Sequence, residues 1–219
     1  MEVRDLSNTL IFVGLVGSGK STQIGVLKRF ISKNNLCVRD VYLKTVFIFT
    51  PLFLNLFRYF LTNRGIKIIH KIAVELDLIL NVFVLPLLKA LKCVFCKGCL
   101  VLVEEHFPGS IVDYYHASLI LGIKMSLIRI LIRILYILFN RDLKNAITII
   151  LFSDLKTLKN RWRKRGGSKD EAVTYLYVQL LVFNAWNKLF PAISINNSDL
   201  SIYETAFNII VNLKRRKVL

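Results

Sequence analysis

An α/β protein built on one parallel sheet, with helices on both faces, is what the sequence predicts. Two observations carry that expectation. Short, continuous apolar runs alternate with longer stretches of helical period, and the first run leads directly into Gly14-Leu15-Val16-Gly17-Ser18-Gly19-Lys20-Ser21. A strand buried on both faces of a parallel sheet reads as an unbroken apolar run, and such strands need helical crossovers between them. The chain has 219 residues, enough for one such domain with a full core.

Each element follows in order. Thr9 to Val13 (TLIFV) is the first strand, ended by Gly14. From Ser21 the period changes: Ile24, Leu27 and Ile31, with Val26 and Phe30 beside them, fit one apolar helix face, closed by Lys33-Asn34-Asn35. Val38 to Leu43 reads as the second strand. Apolar helical pattern then fills roughly Pro51 to Leu91, with a turn expected at Thr62–Gly65. Leu100 to Val103 is the third strand and ends in Glu104-Glu105. Helical period resumes from Ile111 to Phe139. Ala146 to Phe152 is the fourth strand, with Ser153 placed to cap the helix after it. A further helix is expected over about Lys169 to Leu189, a short fifth strand at Ala192 to Ile195, and a last helix from about Ser201 to Lys214. No internal repeat or low-complexity linker divides residues 1–219, so one domain is expected.

Composition narrows the setting. Apolar residues make up 54% and mean hydropathy is +0.52, so a membrane-spanning reading needs testing. Thr45 to Phe57 and Leu78 to Leu88 are long, uncharged and strongly apolar stretches. Both are shorter than the ~18–20 residues a spanning helix needs, and each contains a proline. Leu119 to Phe139 is long enough but is interrupted by Lys124, Arg129 and Arg133. The basic-then-apolar layout of a secretory signal is missing at the N-terminus, so a cytoplasmic protein is expected. Membrane contact is expected to be peripheral if it occurs at all.

A formal charge of +17, from 31 Lys+Arg against 14 Asp+Glu, favours polyanionic partners such as nucleotides. The bases are scattered, with clusters at Arg161–Arg165 and Lys214–Lys217, and no specific nucleic-acid partner is expected from them. Abundant Ile, Leu, Lys and Arg with scarce Gln would suit a hot-living source. Cys93, Cys96 and Cys99 read C-x-x-C-x-x-C, and a tetrahedral metal site would need a fourth ligand from Cys37 or a histidine. The run lies before a predicted central strand, where small buried cysteines are common, so it is read as packing, with a metal or disulfide role as the alternative.

Gly14 to Ser21 satisfies G-x-x-x-x-G-K-[ST] at every fixed position, with a strand before it and a helix after. Glycines let the backbone curl so that successive N–H groups point at phosphate oxygens, and the following helix adds its positive end. Gly14, Gly17, Ser18, Gly19, Lys20, Ser21 and Thr22 are therefore the candidate ATP-binding residues. Lys20 reaches the β- and γ-phosphates, and the Ser21 hydroxyl can ligate Mg²⁺.

The reaction needs further groups. An acid near the loop must organise the metal, and in an open parallel sheet it gathers at the carboxyl ends of strands. Glu104 and Glu105 end the third strand there. Neighbours in a strand face opposite ways, so only one is expected to face the loop. The segment RWRKRGG, Arg161 to Gly167, followed by SKDE, reads as a mobile lid over about 159–171. Arg161, Arg163 and Arg165 are its candidate catalytic arginines, placed to close over a triphosphate and exclude water.

With these residues assembled, the chain resembles the thymidylate kinases and archaeal thymidylate-kinase-like proteins among the P-loop nucleoside monophosphate kinases. GSGKSTQ, Gly17 to Gln23, is similar to the family's P-loop. Glu105-His106-Phe107-Pro108-Gly109-Ser110-Ile111-Val112-Asp113-Tyr114 is similar in spacing to the family pattern D-R-[YH]-x-x-S-x-x-A-Y. Phe107, Ser110 and Tyr114 fall on its aromatic, serine and tyrosine positions. RWRKRGG resembles the lid region, and Ile193 to Asn197 with SDLSIYE resembles the last strand and closing helix.

The resemblance implies a three-layer P-loop fold with a five-stranded parallel sheet in the order 2-3-1-4-5. It also implies transfer of the γ-phosphoryl group of Mg-ATP to a nucleoside monophosphate, dTMP foremost, in a homodimer. Substrate contacts would then come from His106, Phe107, Ser110 and Tyr114. His106 stands at the family's arginine position, Val16 stands where many members carry an acid, and FIFTPLFLNLFRYF replaces the expected E-P-G. Arg58 is the candidate substitute clamp for the acceptor phosphate.

Two other functions fit the same loop: an ATPase or a kinase with a different acceptor, and a non-catalytic nucleotide-binding protein at a membrane surface. His70 and His116 read as satisfied helix residues.

Overall fold

β1 (Thr9–Gly14), an apolar run buried along nearly its whole length, takes the centre of the sheet, between β3 (Leu100–Glu105) and β4 (Ile147–Phe152). A computed structural model describes residues 9–57, 63–93, 98–122, 146–164, 173–216 and 218. Among these, β2 (Val38–Leu43) and β5 (Ala192–Asn196) complete a five-stranded sheet in the order β2-β3-β1-β4-β5. All four pairings are parallel, with Phe12 opposite Glu104 and Leu43 opposite Glu105.

Alternation along the strands builds two cores. Leu10 and Phe12 of β1, with Leu102, Ile149 and Leu151, pack under α1 (Lys20–Lys33) and the last helix, Ile202–Arg215. Ile11 and Val13, with Val101, Val103 and Ile150, face the other way, toward α3 (Asn63–Cys93) and α4 (Phe107–Leu121). β1 and β4 are thus apolar on both sides because each side meets a helix layer, whereas the edge strands β2 and β5 leave Arg39, Ser194 and Asn196 exposed. Between α1 and α3, β2 leads into α2 (Phe49–Phe57); after β4 come α5 (Leu155–Lys164) and α6 (Val173–Leu189). The last helix, α7 (Ile202–Arg215), starts with a reciprocal cap: Glu204 N–H donates to Ser201 Oγ, and Ser201 N–H donates to Glu204 Oε2 at 2.8 Å.

The predicted strands and their order are those observed. Differences lie at the joints. Of the turn predicted at Thr62–Gly65, residues 63–65 are helical, since α3 begins at Asn63, and Thr62 lies outside the described residues. Ser153 does not cap the helix after β4. Asp154 does, its carboxylate accepting from Thr157 N–H at 2.6 Å, because Ser153 is engaged elsewhere. The cysteine run does not act as one unit: Cys99 forms a disulfide with Cys37, across 62 residues, joining the amino ends of β2 and β3. Among the described residues no His, Cys, Asp and Glu cluster suits a metal ion. Cys96, the side chain of Cys93 and the helical pattern beyond Gly122 lie outside the described residues. No helix among them is long and apolar enough to cross a membrane.

Candidate active site

The loop between β1 and α1 is shaped by glycine where nothing else fits. A Cβ on Gly14 would collide with the Leu151 carbonyl oxygen and sit 2.8 Å from Ser18 Oγ. Gly17 and Gly19 lie in the left-handed region, at φ 84° and 90°. Gly19 is also the N-cap of α1 and makes no side-chain cap, so the positive helix end is left to the loop. Leu15 N–H donates to Leu151 O at 3.2 Å and Ser18 N–H to Leu15 O at 3.0 Å, which tie the loop to β4 and to itself. Lys20 folds back along it, with Nζ donating to Gly14 O at 3.2 Å.

Both strand-end carboxylates reach this loop. Ser21 Oγ donates to Glu104 Oε1 at 2.7 Å. Glu105 lines a narrow polar crevice of about 20 Å³ with Gly14, Lys20, Asp113, Tyr175 and Gln179. Strand alternation had predicted that only one could face the loop. It fails because the backbone leaves extended geometry at this point: Glu105 has φ 75° and His106 φ 64°. Burial pushes the Glu105 carboxyl above the usual glutamate range, and the nearby Lys20 charge pulls in the opposite direction. Across the crevice, Tyr175 Oη donates to Asp113 Oδ1 at 2.9 Å.

The other flank of the loop opens onto a cavity of about 240 Å³, bounded by Ser18, Thr22, Gln23, Arg161, Asn197 and Ile202 among others. Asn197, 2% exposed, organises it. Its Nδ2 donates to the Ser18 carbonyl at 2.7 Å, and its Oδ1 accepts from Ser153 Oγ. Arg161 joins the same group, donating to Ser153 Oγ at 3.0 Å and to the Asn197 carbonyl at 2.9 Å. Arg161, expected on the lid, lies in α5, is bonded to Ser153 and Asn197 and faces the cavity. Arg163 is exposed on the same helix, while Arg165 and the remainder of 159–171, from 165 onward, lie outside the described residues.

The residues expected to contact the acceptor occupy a different place. His106, Phe107, Ser110 and Tyr114 are each 4% exposed or less. Phe107 and Tyr114 belong to the core between the sheet and α4. Ser110 accepts from Thr45 Oγ1 at 3.1 Å. Tyr114 Oη accepts from Asn81 Nδ2 at 3.0 Å, and burial pushes its phenol well up. His106 packs edge-on against Phe107, and burial, with the Lys89 charge, drives its imidazole down to about 3. A neutral, buried imidazole cannot replace a guanidinium at an acceptor phosphate. Direct acceptor contact by these four would need surface that they lack here. Arg58 lies outside the described residues. His116 is not a satisfied helix residue either, since its Nε2 is buried without a hydrogen-bond partner.

Several site residues gave no sequence signal. Gln179 of α6 is 5% exposed and accepts from Val16 N–H at 3.2 Å, so α6 grips the loop directly. Asn197 lay inside a recognised segment but carried no assigned role. Asp77 and Asn81, buried in an apolar helix, hold the connection after β2. Two polar residues four apart on that apolar face were the available clue.

A parallel sheet ordered 2-3-1-4-5, a glycine-shaped phosphate loop after its central strand, and an acid bonded to the loop serine together define the P-loop kinase fold. Two solved structures show the likeness. Thymidylate kinase from Candida albicans superposes with a TM-score of 0.55 at 14% identity, over 96% of this chain and 92% of that one. The YorR protein of Bacillus subtilis, solved in complex with phosphorylated GDP, gives a TM-score of 0.52 at 16% identity, over 95% and 98%. No family model matches the sequence, and no curated protein matches it.

Proposed function

We propose that the chain transfers the γ-phosphoryl group of Mg-ATP to a nucleoside monophosphate, with dTMP the foremost acceptor. One observation carries the reading: two separate openings meet at the Gly14–Ser21 loop. A hydrolase needs one nucleotide site and a water, whereas a transferase must hold two substrates end to end across the loop. The cavity beside Ser18, Arg161 and Asn197 suits the donor, and the crevice beside Lys20, Glu105 and Asp113 suits the acceptor's reacting end.

The chain's own residues divide the work. Loop amides and the uncapped start of α1 bind the donor phosphates. Lys20 moves from Gly14 O to the transferring phosphoryl group and follows its charge. Arg161, fixed by Ser153 and Asn197, holds the donor without needing to be ordered first. Ser21 and Glu104 form an all-oxygen pair that fits Mg²⁺, which characteristically takes one or two carboxylates together with substrate phosphates. When bound, the ion would neutralise charge between the β- and γ-phosphates.

A homodimer accords with the row of exposed apolar residues on α3, namely Ile68, Ile72, Phe83, Leu87 and Leu91, each at least 46% exposed. We place the protein in the cytoplasm. The test is turnover of ATP with a panel of nucleoside monophosphates, with Lys20→Ala as the control. Phosphorylation of at least one monophosphate, lost in the variant, is expected. ATP hydrolysis at a rate indifferent to every monophosphate would overturn the kinase reading in favour of an ATPase.

A further inference from the structure

α6 reads VTYLYVQLLVFNAWNKL and carries a single charge, Lys188. Its inner face meets the sheet: Val178, Val182, Phe183 and Trp186 are each at most 8% exposed. The outer face is apolar as well. Tyr177, Leu181, Ala185 and Leu189 recur every fourth residue, which is one stripe of a helix, and all four are exposed. A helix apolar on both faces needs cover on both.

Between this stripe and α4 lies a groove of about 400 Å³, walled on the α4 side by Ile111, Tyr115 and Leu119. The rim residues Tyr115, Leu119, Tyr177, Leu181 and Leu189 remain between 41% and 60% exposed. Asp113 is the single acid on α4 and α6, and it is bonded to Tyr175 on the crevice side. The foot of the groove is basic. Trp186 Nε1 donates to Thr148 Oγ1 at 3.0 Å, Ala192 pairs with Thr148, and Arg216 donates to the Ala192 carbonyl at 2.8 Å. This series of contacts sets Arg216 beside the groove, with Lys214 and Arg215 exposed next to it and Lys188 on α6 itself. Cations at helix ends offset the helix dipole, but that does not account for the uncovered apolar rim.

We propose that the outer face of α4 and α6 docks on an anionic lipid bilayer surface. The rim enters the headgroup boundary, where tyrosine is favoured, and Lys188, Lys214, Arg215 and Arg216 meet the anionic headgroups. A second copy of a chain carrying +17 would set like charge against like on this face. A nucleic acid needs cations along its whole track, not gathered at one end of an apolar groove. Gln179, on the inner side of α6, holds the phosphate loop, so docking on the outer side is independent of the kinase reading.

The test is sedimentation of the full chain with vesicles of phosphatidylcholine alone and of phosphatidylcholine mixed with phosphatidylglycerol. The mixed vesicles should bind about tenfold more tightly or better, and the difference should shrink as salt rises. Each base at an anionic surface contributes about fivefold, so Lys188→Glu/Arg215→Glu should weaken binding about twentyfold or more. Leu181→Ser/Leu189→Ser should weaken it about tenfold, with thermal melts confirming that both double variants fold. In a Trp162→Phe background, lipids brominated on their acyl chains should quench Trp186. Equal affinity for the two vesicle types, no binding to either, or bound protein whose Trp186 is not quenched would overturn the proposal. Binding that survives Leu181→Ser/Leu189→Ser unchanged would overturn it too, leaving only adsorption by charge. Self-association that Leu181→Ser/Leu189→Ser abolishes, without vesicle binding, would overturn it in favour of a second copy of the chain.

Discussion

Replacing Asp77 should loosen the connection that follows β2 and destabilise the whole domain. Its side chain is 0% exposed and takes three backbone N–H groups, two on Oδ1 and one on Oδ2. A hydrogen bond to a charged group contributes about 1.5–3 kcal/mol, and orphaned donors cost more when buried. The Ile48 end of the connection is solvent-accessible, so part of that loss is recovered by water. Asp77→Ala should therefore cost about 3–4 kcal/mol, less than the sum of three bonds. Asp77→Asn keeps the shape, and its one carbonyl oxygen can still serve Ile48 and Phe49. Its NH₂ group would face the Thr50 N–H donor to donor, costing about 1.5–3 kcal/mol. Urea unfolding gives both values from the midpoints at constant slope, and thermal melts should fall by about 2–4 °C per kcal/mol for a chain of this length. Equal stability of wild type and both variants would refute the capping role.

Two further outcomes follow from chemistry away from that connection. Reducing the Cys37–Cys99 disulfide, which closes a separation of 62 residues, should lower unfolding free energy by about 4 kcal/mol by loop-closure entropy. Melts with and without a thiol reductant measure it, and a Cys37→Ser/Cys99→Ser variant insensitive to reductant is the control. Glu105 is raised by burial, so the folded chain holds that proton more tightly than the unfolded one. Its contribution favours folding at low pH and declines as pH rises from the ordinary glutamate value through the raised one. Glu105→Gln should remove that slope from urea unfolding between pH 4 and 8. In kinetics, the acid limb of kcat/KM should lie above the usual carboxylate range and shift in the variant, and an unshifted limb would clear Glu105 of a role.

What the sequence disclosed depended on how local each signal was. The phosphate loop was legible because its fixed positions, Gly14, Gly19, Lys20 and Ser21, lie within one short stretch between a strand and a helix. The strand order came with the family resemblance and is the order observed. Asn197, Gln179 and Asp77 were not legible in this way, since their partners lie 179, 163 and about 27–29 residues away. The expected acceptor set also carried a helix signal. Phe107, Ser110 and Tyr114 are spaced i, i+3, i+7, which is the spacing of one helix face, and that face lies against the sheet. Ser153 was a sound cap by residue type, but Asn197 and Arg161 claim its hydroxyl. The glutamate pair misled because alternation holds only while φ stays extended, and it ends at Glu105.

The single covalent cross-link among the described residues stands at the amino ends of β2 and β3, whereas Glu104, Glu105 and the connection that follows β2 stand at the carboxyl ends of the same two strands. Both strands are six residues long, so the cross-link and the chemistry are separated by nearly the full length of the strands. The bond thus acts as an anchor remote from the chemistry. It fixes the spacing of the two strands at their roots, and the continuous ladder from Val38 opposite Leu100 to Leu43 opposite Glu105 carries that spacing to the tips where the carboxylates stand.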